Sequence, residues 1–221
     1  MNISDFTNIQ PYRPVVTLPT GTGSNNAEEV TSSKGLESAS VMAAKETPLY
    51  QYKKEPWLTD PLIDFATSRE EYLFFKSIIL GAQLRLLKDS YSDALVDLAD
   101  AHPDIAAKEF SITMSEDGAI KIIDAHNEMS DEDIETLTMF LNDTCYLKGS
   151  VQMVVQGMLL LADHDHDTFG GRYGVGIEDI QRVLDIGKIL NESVDMMRGE
   201  WVRQIETNAE RLPVSYVSVS V

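Results

Sequence analysis

Residues 161–180 read LADHDHDTFGGRYGVGIEDI, where Asp163, Asp165 and Asp167 alternate with His164 and His166 ahead of a glycine-rich run. Carboxylates and imidazoles are the side chains that ligate divalent cations, and alternate residues entering an extended loop can aim at one point. Asp163, Asp165 and Asp167, closed by Glu178 at the start of the following segment, would offer oxygens to calcium or another hard cation. His164 and His166 with an aspartate would instead suit zinc, manganese or iron. Residues two apart on a helix point away from each other, so the second set requires extended backbone here. A third arrangement needs no metal. Three neighbouring negative charges repel unless something offsets them, and Arg172 is the nearby cation in sequence. In that arrangement Phe169 and Tyr173 pin the loop to the body while Gly170, Gly171, Gly174 and Gly176 permit sharp turns. An arginine-clamped loop is the preferred expectation, with the cation as its alternative.

The flanks are helical, so the stretch resembles an EF-hand, whose first three ligand positions Asp163, Asp165 and Asp167 match. The resemblance ends inside the loop, where the sixth position is Thr168 instead of glycine and the twelfth is Gly174 instead of glutamate. The remaining histidines, His102 and His126, lie in similar DAHPD and DAHNE settings, and a metal hydrolase would need the fold to bring them to the loop. LDIGKIL, residues 184–190, resembles the HDIGK run of HD-type metal phosphohydrolases, but Leu184 stands where that family has its metal-binding histidine. GGRYGVG follows a helix and lacks the Lys-Ser/Thr ending of a phosphate loop. Neither reading is kept. Cys145 has no base beside it in sequence and reads as a small, half-buried apolar residue.

The elements that must position these residues follow from periodicity. Ser68 and Glu71 form an S-x-x-E start, after which Tyr72, Phe75, Ile79, Ala82 and Leu86 recur at helical spacing. A second, short helix is expected over 92–102, stopped before Pro103. Phe110, Ile112 and Met114 alternate, Ile120 and Ile122 answer them, and Asp117-Gly118 between the runs predicts a β-hairpin. Ser130 caps the next helix, with Asp131, Glu132 and Asp133 in its first turn complementing the helix dipole. Another helix, from 149, leads into the aspartate loop and should end before Asp163, since carboxylates are unfavourable at a helix C-terminus. From Ile177 to Ile205 one long helix of about eight turns is predicted by the three-to-four spacing. The Val/Ser alternation of 212–221 predicts a strand that joins the hairpin as its third, or else offers a free edge.

Residues 1–55 read as a disordered polar arm, rich in Ser, Thr, Asn, Gly and Pro and without apolar period; 56–221 read as a helix-rich domain. The fold expected is α+β and mainly α, a helical bundle with one hairpin and a C-terminal strand beside it. A net charge of −18 opposes binding to nucleic acid or to anionic membrane, and favours a protein partner with a basic surface. VQMVVQGMLLLA, broken by Gln152 and Gln156, falls short of the ~20 apolar residues of a membrane span. The single cysteine rules out a disulfide framework.

MNISDFTNIQ and the uncharged polar residues after it resemble the uncleaved leaders of bacterial type III-exported proteins, with Asp5 a departure. The resemblance implies a secreted, effector-like protein that acts through protein–protein contact without a cleaved signal peptide; no catalytic residue is assigned, and the enzyme question is left open, leaning against one. A cytoplasmic helical adaptor and a metal-dependent enzyme or calcium-binding protein using the DHDHD loop are the alternatives.

Overall fold

The computed structural model of the chain describes residues 49–212. Within them the fold is α+β and mainly α, as expected, with eight α-helices and two two-stranded antiparallel sheets. The arm lies outside the described residues as far as residue 48. Its last residues, 49–55, are described, and two of their tyrosines pack on the body (below).

Helix α1 is Arg69–Ala101. Its start is the expected Ser68 cap, whose hydroxyl accepts from the Glu71 amide at 3.1 Å, while the Glu71 carboxylate takes the Thr67 amide and hydroxyl, each at 2.8 Å. Two helices were expected where one runs through. Nothing near Ser90 and Ser92 breaks a helix, and the Ser92 hydroxyl donates back to the Lys88 carbonyl, so the chain turns only at Pro103. Its buried side also differs from the predicted one. Tyr72 is buried, followed by Leu80, Leu84, Leu87, Tyr91, Ala94 and Leu98, whereas Ile79, Ala82 and Leu86 face outward. Residues 72–87 are apolar on almost every side, so two stripes satisfy the same period. Asp89, Asp93, Asp97 and Asp100 in the second half leave one side fit for the core, and a continuous helix carries that phase back to its start.

Helix α2, Pro103–Ala106, turns the chain into strands β1, Ser111–Met114, and β2, Ile120–Ile123. The hairpin is the predicted one: Ser111 pairs with Ile123 and Met114 with Ile120, and Gly118 at the turn has φ of +78°. Ile112, Met114 and Ile120 are buried. Helix α3, Asp131–Asp143, starts at Ser130 with a reciprocal cap in which Asp133 replaces the usual glutamate. Its Asn142 amide accepts from the Ile120 amide and donates to the Ile120 carbonyl, both at 2.9 Å, tying the hairpin to the helix. Helix α4, Leu147–His164, lies along α1 and carries the most buried apolar side of the fold.

The long helix expected over 177–205 is broken. After the short α5, His166–Phe169, and strand β3, Tyr173–Gly174, come α6, Ile180–Val183, α7, Ile186–Asn191, and α8, Met197–Asn208. At the first break the Leu184 carbonyl accepts from the Thr113 hydroxyl at 2.7 Å and the Asp185 amide donates to Gln204 at 2.8 Å, while the Asp185 carboxylate caps α7 through the Lys188 amide. At the second, Lys88 donates to the Leu190 and Glu192 carbonyls. Hydrogen-bond partners from distant segments therefore replace the helical ones. Of the nine positions on that spacing, Ile180, Leu184, Gly187, Leu190, Met197, Trp201 and Ile205 are still buried, because successive short helices turn them toward one core, while Ile177 is half-buried and Val194, between α7 and α8, is exposed. Strand β4, Glu210–Arg211, pairs with β3; the strand expected over 212–221 lies, but for Leu212, outside the described residues.

Candidate functional site

Helix α4 does not stop before Asp163 but continues through His164. Two side chains make this tolerable. Arg69, at the start of α1, donates to the His164 carbonyl and so places a cation at the helix C-terminus. Tyr50 donates its hydroxyl to Asp163 at 2.5 Å. Asp163 is half-buried, and that burial raises its carboxyl above the usual range, with the Tyr50 hydrogen bond opposing the shift. Burial and the same carboxylate hold the Tyr50 hydroxyl proton far above its ordinary value.

His164 is buried, its ring stacked on Tyr52 with centroids 5.4 Å apart and met edge-on by Trp57 at 5.9 Å. Burial lowers the His164 pKa, and the charge of Arg69 lowers it further. The neutral ring is thus a packing element between the entry segment and α4. Asp165 begins a new helix: its carboxylate accepts from the Thr168 amide at 3.1 Å and the Thr168 hydroxyl at 2.6 Å, with Arg198 at 3.6 Å. Asp167 and His166 are exposed.

Arg172 is not the clamp. Its guanidinium lies over Gly170 and its carbonyl accepts from the Leu212 amide at 2.7 Å; among the described residues it makes no ion pair with Asp163, Asp165 or Asp167. The offsetting groups are Tyr50, Arg69 and Arg198, each distant in sequence. Phe169 and Tyr173 are buried as expected, with Phe169 against Trp201 at 5.4 Å. Gly170 and Gly171 both take positive φ, 65° and 63°, to turn the loop.

Glu178 folds over the backbone of Gly176 and lines a cleft of about 750 Å³ that Asp163, His166 and Asp179 also border. The four do not converge: Asp179 is held by Arg182 at 2.7 Å and Asp163 by Tyr50. His102 ends α1 at the opposite end from Arg69, about 50 Å away along a helix of that length, and His126 faces Glu109 at 3.6 Å. Among the described residues no three His, Cys, Asp or Glu side chains form a group able to hold a metal ion. Cys145 is exposed, not half-buried.

A different surface stands out on the outward side of α1. Residues 72–88, YLFFKSIILGAQLRLLK, contain no acid in a chain with 36. Phe74, Ile78 and Leu86 are 61%, 52% and 65% exposed. Phe65 packs edge-on against Phe75 at 4.9 Å and extends this apolar surface. Beside it, Ile79, Met153, Leu160 and Leu62 line a groove of about 570 Å³ between α1, α4 and the entry segment. Exposed apolar side chains gathered on one side of a helix are the usual mark of a contact surface. The signal was present in the sequence as a helix apolar on nearly all sides. Tyr50 and Tyr52, by contrast, fall in the segment that reads as a polar arm, and nothing in their spacing marks a distant partner. No single helix among the described residues is long and apolar enough to cross a membrane. No protein-family model, curated protein or solved structure matches the chain.

Proposed function

We propose that this chain acts by protein–protein contact through the outward side of α1, as a bacterial protein exported by a type III pathway without a cleaved signal peptide. The observation that carries the contact reading is the acid-free apolar surface of Phe74, Ile78 and Leu86 on an otherwise acidic chain. In the DHDHD loop, Asp163 and Asp165 already have separate structural partners, which favours the contact reading over the cation alternative. The export reading rests on the composition of residues 1–55.

A photo-crosslinking residue at Ile78 tests the contact, with Asp104 on another face as control. A protein adduct from position 78 and none from 104 is expected; adducts from neither, in cells that express the chain, overturn it. Fusing residues 1–55 to a reporter tests export. Release that requires a functional type III apparatus is expected, and retention would leave the contact reading to a cytoplasmic adaptor.

A further inference from the structure

We infer that the occupant of the α1 surface is a second copy of this chain, its α1 laid antiparallel against the first; this rests on the contact reading above. Glu70, Phe74, Ile78, Gly81 and Arg85 follow one another at spacings of four, four, three and four, which places them along one stripe of α1. Glu70, Phe74, Ile78 and Arg85 are exposed and Gly81 is half-buried. The stripe is self-complementary when reversed. With a two-fold axis opposite Ser77 and Ile78, Glu70 meets Arg85 of the second copy at both ends, and Phe74 meets Gly81.

Three observations favour this occupant. Gly81 has no packing reason within one chain: a Cβ added there would meet nothing within 4 Å, as at Gly149 and Gly199, but Gly81 alone of the three lies on the apolar stripe. A facing Phe74 ring gives the missing side chain a reason, since it needs the backbone bare to approach. Glu70 and Arg85 make no ion pair among the described residues, and they stand at opposite ends of the stripe with opposite charges. Finally, the high negative charge of the chain opposes self-association, and residues 72–88 add no acid to the contact, so that Glu70 faces Arg85 and no other acid of the stripe.

Sedimentation of the full chain from about 1 to 100 μM, in reductant to exclude disulfides through Cys145, reads the association. A monomer–dimer equilibrium is expected, and Glu70→Arg alone or Arg85→Glu alone should weaken it at least about tenfold by placing like charges at both ends. Mixed in equal amounts, the two variants restore both pairs across a heterodimer and should associate as the unaltered chain does. Both substitutions are at exposed positions, and circular dichroism checks that each variant folds. A full chain that stays monomeric, single variants that dimerise normally, or a mixture no better than its components overturns the antiparallel pairing. If position 78 still crosslinks to another protein in that case, the self-pairing fails and the contact reading stands.

Discussion

Gly81 and Gly187 both lie inside helices, and alanine at each has an opposite expected effect. At Gly81 a methyl group meets open space, so Gly81→Ala should raise the stability of the monomer by about 0.5–1 kcal/mol through helix propensity. At Gly187 the added Cβ would collide with the Ser111 side chain and approach the Ile112 backbone nitrogen to 3.0 Å, so Gly187→Ala should lower stability by about 1–3 kcal/mol. Urea unfolding midpoints at dilute concentration separate the two. Tyr50 and Asp163 supply a pH-dependent case. Burial raises the folded pKa of Asp163 above the unfolded value of 3.8, so the stability it contributes is present at low pH and is lost as pH rises through the raised pKa. The Tyr50 hydroxyl limits that loss. Tyr50→Phe should therefore destabilise by about 1 kcal/mol at neutral pH and by much less near pH 3. An equal penalty at both pH values would show that the hydroxyl does not serve the carboxylate. Sequence showed the three aspartates but not this partner, because the contact joins residues 113 apart along the chain.

At the scale of elements, periodicity was informative and phase and continuity were not. The hairpin was legible because Asp117-Gly118 carries its own turn chemistry and the flanking alternation is local. The region from Ile177 to Ile205 was largely legible as core and illegible as three helices, since its breaks are made by Thr113 and Lys88 from elsewhere in the fold and by Gln204 from the region's own far end. Asn142 is a second such contact. Asn142→Ala leaves both polar groups of Ile120 without their partner and should destabilise by about 1–3 kcal/mol, read from the shift in denaturant midpoint. The C-terminus of α4 adds a pH dependence of the opposite sense to Asp163. His164 has a folded pKa below its unfolded value of 6.5, so its contribution is complete above that value and is lost as pH falls below it. Comparing the stability of the unaltered chain with His164→Phe should show a slope from about pH 6.5 downward in the former that is flattened in the latter. Parallel slopes would place the titrating group elsewhere.

For the whole molecule, 36 acids against 18 bases make self-repulsion a general term in stability. Raising NaCl from about 0.02 to 0.5 M should raise Tm by several degrees through screening. Calcium at matched ionic strength should do no more than sodium; a larger rise that Asp165→Ala abolishes would show a specific cation site in the DHDHD loop. Reading the residues alone was enough for the fold class, the hairpin, the helix starts at Ser68 and Ser130, and seven of the nine 177–205 positions expected in the core. Each of these is set by chemistry within a few neighbours or by a repeating pattern. Only the tertiary structure decided which stripe of α1 is buried, where the last long segment breaks, and what answers the charges of Asp163 and Asp165. Those outcomes depend on groups brought together from opposite ends of the chain, and an isolated stretch carries no record of its distant partner. The apolar surface left over on α1 follows from the same decision, since a helix apolar on two sides can give only one of them to its own core.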